Sequence, residues 1–252
     1  MRRAAEDSGA TEDLTPAQGG GMPTARRPAG VSLDIWGTLL ASDPDFKPAR
    51  NRMLRAALAP AVPADVFDAA MRQADRDVDD RCIRDGIDIG FTGRVEATLR
   101  ALELPIEPLA DRVPELYDAQ QRLALAHPPR PLHVELPAAV AALPVPVVLT
   151  SNTGMLPGEL MRKLLVPAGF GGLPGVFSNE LGVAKPHPRM FQEACATLGV
   201  EAGDVLHVGD NPAADVAGAQ AAGLRAALVR PDGVSTLAVL HGILEPHGGG
   251  VA

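Results

Sequence analysis

Along residues 30–41 a short apolar run, Val31, Leu33 and Ile35, carries one acid, Asp34, and breaks at Gly37. The pattern predicts a buried strand that ends in a sharp turn, with Asp34 close to that end. A turn-rich stretch from Ala41 to Phe46 follows. Helical periodicity then occupies most of residues 47–126. Met53, Leu54, Ala57 and Leu58 make one apolar face, and Val66, Ala70, Ala74, Val78 and Cys82 recur every four residues, with Asp and Arg filling the other faces. The charged run from Arg76 to Asp85 reads as a solvated helix face, Gly86 as that helix's end, and residues 109–126 as one last helix that tolerates Pro114 near its start. The Pro-rich break from His127 to Pro131 closes the block.

From Leu132 the pattern changes. Helices are predicted over 134–143, 155–166, 188–198 and 213–222, and short strands over 145–149, 176–178, 205–208 and 226–229. Strands alternating with helices imply an α/β fold, a parallel sheet with helices on both faces. Residues 30–41 and 131–240 form its core and residues 42–130 an inserted all-α unit entered and left through Pro-rich hinges. Residues 1–29 lack periodicity and read as a disordered leader, within which Met22 is an alternative start; residues 241–252 read as a frayed tail. Ligands of such sheets sit beyond the carboxyl ends of the strands, so polar residues there become candidates.

Composition narrows the picture. The chain has 252 residues, 46% of them apolar and 21% charged, enough for a sizeable core. A net charge of −8 argues against general nucleic-acid binding. No run approaches the roughly 18 apolar residues of a membrane span, and the N-terminus lacks a signal peptide's apolar region. Cys82 and Cys195 fit buried thiols in a reducing compartment. The expectation is a cytoplasmic monomer or homodimer, and the net charge does not exclude a small anionic substrate. No His/Cys cluster has zinc spacing; His207 reads as a structural neighbour within a strand, His187 as an exposed loop histidine, and His127 and His133 as flanking a hinge.

Four groups at predicted strand ends stand in order: Asp34 with Gly37-Thr38; Thr150-Ser151-Asn152-Thr153 before a helix, where hydroxyls and free amides suit a phosphate oxygen; Lys185 within Gly182-Val183-Ala184-Lys185-Pro186; and Gly209-Asp210 with Asp215 five residues on. Each has an ordinary reading, as turn, helix cap or exposed lysine. Asp210 and Asp215 equally suit a hard cation such as Mg²⁺. Their order and spacing resemble the haloacid dehalogenase superfamily across most of residues 30–230. The resemblance implies a Rossmann-like core with a helical C1-type cap and an Asp34 nucleophile that becomes an aspartyl phosphate. It implies Mg²⁺ held by Asp34, the Trp36 backbone carbonyl, Asp210 and Asp215. Lys185 then supplies a second positive charge, and Thr38, Ser151 and Asn152 hold the phosphoryl group.

One position departs from the family. Two residues after the nucleophile, most of its phosphatases carry a second Asp that works as acid and base; here that residue is Trp36, whose indole has no useful acid–base pKa. General acid–base help of this kind is worth about 10²–10⁴ in rate. Asp43 and Asp45 on the linker are the substitutes nearest in sequence; alternatively the substrates have good leaving groups, such as acyl or aryl phosphates. Alternatives are a dehalogenase, which expels halide without an acid, and a catalytically weak binding or regulatory protein. Retention of Asp210 and Asp215 favours phosphoryl chemistry. Phe91 and Arg94 are candidate contacts from the insert.

Overall fold

The computed structural model describes residues 27–245. The leader expected over 1–29 therefore lies outside the described residues except for 27–29, where Arg27 donates from Nε to the Ile243 carbonyl (2.9 Å) and from Nη2 to that of Leu244 (3.2 Å).

Strand β1 (Gly30–Leu33) is wholly buried. A two-residue strand β2 (Leu40–Ala41) leads into five helices: α1 (Phe46–Leu58), α2 (Ala64–Asp85), α3 (Phe91–Ala101), α4 (Glu107–Ala110) and α5 (Val113–Ala126). The chain returns through β3 (Arg130–Pro131), antiparallel to β2, so entry and exit of the helical block are stitched together. Then come α6 (Leu136–Ala141), β4 (Val147–Ser151), α7 (Gly158–Leu165), β5 (Gly175–Phe177), α8 (Ser178–Leu181), α9 (Pro188–Leu198), β6 (Val205–Gly209), a π-turn over Pro212–Ala217 running into α10 (Gly218–Ala221), β7 (Arg225–Leu228) and α11 (Val234–Leu244).

The main sheet has the order β5-β4-β1-β6-β7 and every pair in it is parallel. β1 is central, with β4 on one side and β6 on the other, so the chain reverses direction across the sheet at β1. That reversal opens a crevice at the carboxyl ends of β1, β4 and β6.

Two apolar clusters cover the sheet. One joins Val31, Leu33 and Leu149 to α7 residues such as Leu160 and Leu164 and to Leu240 of α11. The other sets Val148 and Val205 against Met190 and Phe191 of α9. A third cluster holds the helical block, with Leu54, Phe67, Met71, Phe91, Val95 and Leu99 at its heart and Met155 of the β4–α7 loop joining it from the sheet side. Each such side chain, fully buried, contributes about 1.5–3 kcal/mol.

Several expectations are corrected. Residues 241–245 are not frayed: α11 continues to Leu244 because Leu237, Leu240 and Ile243 pack into the core. The single helix over 109–126 is two, broken at Asp111 and Arg112. The helix over 213–222 starts as a π-turn, capped by Asn211 Oδ1 accepting from the amides of Ala213 and Ala214. Ser178 opens a helix rather than ending a strand. The helices expected from 134 and 155 start at Leu136 and Gly158. Cys82 and Cys195 are both free, as expected, but only Cys82 is buried and Cys195 is half-buried.

Candidate active site

Three adjacent strands deliver the polar groups. Asp34 follows β1, and its amide still donates to the Val208 carbonyl of β6 (2.9 Å), so the strand ladder fixes its backbone. Ser151 ends β4 and Asp210 follows β6. Lys185 enters from the loop between α8 and α9. Its backbone is clamped by one side chain: Asn152 Oδ1 accepts from the Lys185 amide (2.7 Å) and Asn152 Nδ2 donates to the Lys185 carbonyl (3.0 Å). Lys185 is thus no exposed lysine; it is 2% exposed.

Its ammonium donates to Asp34 Oδ1 and to Asp215 Oδ1, both at 2.6 Å. Burial alone would strip its proton, but Asp215 and Asp34 outweigh that and hold its pKa above the usual lysine value. Asp215 is satisfied on both oxygens: His207 Nε2 also reaches Oδ1 (3.2 Å), and the Asn211 amide donates to Oδ2 (2.9 Å). Against its burial, Lys185 and His207 keep its carboxyl well below the ordinary range. Asp34 differs. Burial pushes its carboxyl up to about 7, Lys185 pulls against that, and Asp215 and Asp210 push the same way as burial.

His207 is more than a neighbour. Asp215 can only accept, so Nε2 carries the proton and Nδ1 accepts from Ser32 Oγ (2.8 Å), which in turn accepts from Thr150 Oγ1 (2.8 Å). Burial lowers the pKa of this ring, keeping it neutral. A wholly buried polar chain, Thr150–Ser32–His207–Asp215–Lys185–Asp34, crosses β4, β1 and β6. Nothing in the hydrophobic pattern announced it except polar residues at the middle of apolar strands.

Carboxylate oxygens of Asp34, Asp210 and Asp215 lie within 4.8 Å of one another. Three carboxylates against one ammonium leave two negative charges, and the donors are hard oxygens, a set that suits Mg²⁺. Asp34 Oδ2 and the Trp36 carbonyl take no hydrogen bond among the described residues. Gly37 sits at φ +75°, and a Cβ there would collide with the Asp210 carboxylate. Thr38 Oγ1 is buried without a partner. Those features fit a divalent cation between β1 and β6.

A cavity of about 660 Å³ opens over these groups. Asp34, Trp36, Asn152, Lys185, Asp210 and Asp215 line it, whereas Thr38 and Ser151, both buried, do not; Ser151 Oγ donates only a long bond to the Asn152 carbonyl (3.4 Å). The far wall belongs to the helical block and includes Arg50, Asp75, Asp79, Asp88 and Arg94. The charged residues of 76–85 are exposed as expected, Asp79 among them although it accepts from Arg94 Nη2 (2.6 Å), and the buried Val78 and Cys82 belong to the apolar stripe. Of the two residues for which the sequence leaves a cap contact and a surface placement both open, Arg94 lines the cavity, while Phe91 packs inside the block edge-to-face with Tyr117, centroids 5.6 Å apart. Neither Asp43 nor Asp45 lines the cavity; Asp43 accepts from Arg130 (3.1 Å) and lies 3.6 Å from His127. His187 caps α9, accepting from the Arg189 amide (3.2 Å).

A family model described as haloacid dehalogenase-like hydrolase matches residues 29–223. The chain belongs to this family. As a haloacid dehalogenase-like hydrolase it is an enzyme of the hydrolase class, and its curated relatives are phosphatases. It is 30% identical over 210 residues to a plasmid-borne phosphoglycolate phosphatase of Cupriavidus necator, covering 79% of this chain and 80% of that one. It is 42% identical over 73 residues to a phosphoserine phosphatase of Thermus thermophilus, a match spanning 28% of this chain and 29% of the relative. In fold it is similar to the magnesium-bound HAD-hydrolase YfnB of Bacillus subtilis, with TM-score 0.62 and 18% identity over 87% of this chain and 99% of that one. The L-2-haloacid dehalogenase of Xanthobacter autotrophicus gives TM-score 0.53 and 24% identity over 80% of this chain and 77% of that one.

Proposed function

We propose that this hydrolase is a Mg²⁺-dependent phosphatase of a small phosphorylated metabolite, working through an aspartyl phosphate on Asp34. One observation carries the reading: Asp34 presents one oxygen to Lys185 and leaves the other free on the floor of a cavity it shares with Asp210 and Asp215. A nucleophilic carboxylate attacking a dianion needs positive charge beside it. Lys185 supplies part, and its two bonds hold Asp34 in line while the ammonium faces the phosphoryl oxygens. Held by Asp34, Asp210 and the Trp36 carbonyl, with Asp215 behind, Mg²⁺ would neutralise the remaining charge. Asn152 fixes the lysine loop and lines the phosphoryl pocket, whereas Thr38 and Ser151 stand outside its lining. The helices of residues 42–130 serve as a cap that excludes water and sets specificity. The phosphatase relatives point the same way, and two free thiols fit a cytoplasmic enzyme. Among the described residues no helix is long and apolar enough to cross a membrane.

Trp36 favours one second reading, a dehalogenase, since expelling halide from carbon needs no proton donor. A panel of p-nitrophenyl phosphate, acetyl phosphate, glycerol 2-phosphate and 2-chloropropionate, with Mg²⁺ or EDTA, separates the two. The expected result is Mg²⁺-dependent phosphate release that falls to background in Asp34→Asn. Metal-independent halide release would overturn the phosphatase reading, and no turnover at all would favour a binding protein.

A further inference from the structure

The phosphatase reading leaves one step without an agent. A leaving alkoxide must take up a proton, and Trp36 cannot give one. Six carboxylates line the cavity: Asp34, Asp75, Asp79, Asp88, Asp210 and Asp215. Asp34, Asp210 and Asp215 form the charge cluster beneath. Asp75 is shared by Arg50 and Arg94 at 3.5 Å each, and Asp79 is paired with Arg94. Those guanidinium groups engage both carboxylates. Asp88 alone of the six stands in neither group. Its Oδ1 accepts from Ser178 Oγ at 2.5 Å, and its Oδ2 takes no hydrogen bond among the described residues.

Asp88 belongs to the helical block by sequence, on the Gly86–Gly90 loop between α2 and α3, yet it is fastened to the sheet side. Ile87 bridges Val183, and the Ala184 amide donates to the Gly86 carbonyl (3.1 Å). That strap ends one residue before Lys185. Ser178 Oγ, which holds Asp88, also accepts from the Thr153 amide (2.9 Å). Asp88 is therefore pinned between the lysine loop and the β4 turn, the two segments that bring Lys185 and Asn152 to the same cavity.

We propose that Asp88 is the general acid and base of this enzyme, replacing the carboxylate that position 36 lacks. The proposal rests on the phosphatase reading. In the first half, an Asp34 oxygen bonds to phosphorus as the bond from phosphorus to the ester oxygen breaks, and the Asp88 proton passes to that oxygen, releasing a neutral alcohol. In the second, water attacks the phosphoryl phosphorus and gives its proton to the Asp88 carboxylate, and the bond from phosphorus to Asp34 breaks. Phosphate leaves, and both acids return to their starting states. The electrostatics agree: burial raises the Asp88 pKa above the usual aspartate value, while the hydrogen bond from Ser178 and the charge of Arg94 oppose it only in part. Cys82, the other titratable group facing it, is itself held neutral by burial.

The test uses leaving-group dependence in the full-length protein with Mg²⁺. Glycerol 2-phosphate has a poor leaving group and p-nitrophenyl phosphate a good one. Asp88→Asn is expected to lower kcat/KM for glycerol 2-phosphate by about 10²–10⁴ and that for p-nitrophenyl phosphate by less than about tenfold. With p-nitrophenyl phosphate the variant should show a nitrophenol burst, because the phospho-Asp34 formed is then hydrolysed slowly. In the wild type, kcat/KM for glycerol 2-phosphate should fall as pH rises through the Asp88 pKa, since the acid must be protonated to donate; that basic limb should vanish in Asp88→Asn, and Asp88→Glu should restore part of the rate. Equal losses on both esters without a burst would assign Asp88 a merely structural role and overturn the proposal. Unchanged glycerol 2-phosphate turnover would overturn it while leaving the phosphatase reading intact. Wild type inactive on both esters, or Asp34→Asn still active, would remove that reading and this proposal with it.

Discussion

At the scale of single residues, Gly37 decides whether the charge cluster can form. Its φ of +75° costs an L-residue about 1–2 kcal/mol, and a Cβ would also run into the Asp210 carboxylate. The two effects can be separated, because Gly172 has φ +85° with open space where its Cβ would be. Both Gly37→Ala and Gly172→Ala are therefore expected to lose stability in urea, Gly37→Ala at least as much as Gly172→Ala. Only Gly37→Ala should weaken Mg²⁺, by about 10–100-fold, the range for disturbing groups around a metal, read from a Mg²⁺ titration of activity or of Tm. Equal Mg²⁺ affinity in the two variants would show that Asp210 does not need this close approach. Asp34, Lys185, Asp210 and Asp215 were all legible in the sequence because each stands at a strand end or in a short motif of fixed spacing. His207, Arg50 and Asp88 were not. Polar residues inside apolar strands and helices carry no periodic signal of their own, and what they face depends on which strands become neighbours. The one available hint for Asp88 was a lone acid inside the glycine-bounded segment Gly86–Gly90.

At the scale of elements, the helical block is held together by a buried apolar cluster, so a cavity there should be felt as a loss of folding stability. Met71 is fully buried among Leu54, Phe67 and Leu99. Met71→Ala is expected to cost about 2–5 kcal/mol, seen as a lower urea midpoint at unchanged slope. A loss under about 1 kcal/mol would mean that α1, α2 and α3 are not packed as described. Local pattern explains which elements could be foreseen. The core strands are brief apolar runs bounded by turn residues, and α9 begins at Pro188 and is closed by Gly199 at φ +66°, so its bounds were read correctly. Tertiary packing set the rest. The helix α11 follows a Pro-Asp-Gly turn and leads into a Gly-rich end, so its sequence resembles a tail; burial of Leu237, Leu240 and Ile243 is what makes it an element. The π-turn at Pro212–Ala217 brings Asp215 back beneath Gly209, where a Cβ on that glycine would collide with it, a constraint that belongs to the site and not to helix propensity.

At the scale of the whole molecule, the enzyme folds with a surplus of buried negative charge at one end of its sheet. Asp34, Asp210 and Asp215 face one ammonium, and the chain as a whole carries −8. Like charges held this close oppose the folded state unless a cation joins them. A divalent ion that binds the folded chain and not the unfolded one stabilises by mass action, about 2.7 kcal/mol at a hundredfold excess over its Kd. For a chain of this length each kcal/mol moves Tm by roughly 2–4 °C, so saturating Mg²⁺ should raise Tm by roughly 5–10 °C over EDTA. General screening of a −8 protein would also raise Tm slightly, which KCl of equal ionic strength measures separately. Asp210→Asn makes the sign specific. Removing one member of the cluster should leave the metal-free protein as stable as the wild type or more so, because a repulsion is relieved, while the response to Mg²⁺ disappears. A Tm rise equal in wild type and Asp210→Asn, or reproduced by KCl, would mean that the cluster is not the Mg²⁺ site; because this readout needs no turnover, it tests the site whichever metabolite the enzyme hydrolyses.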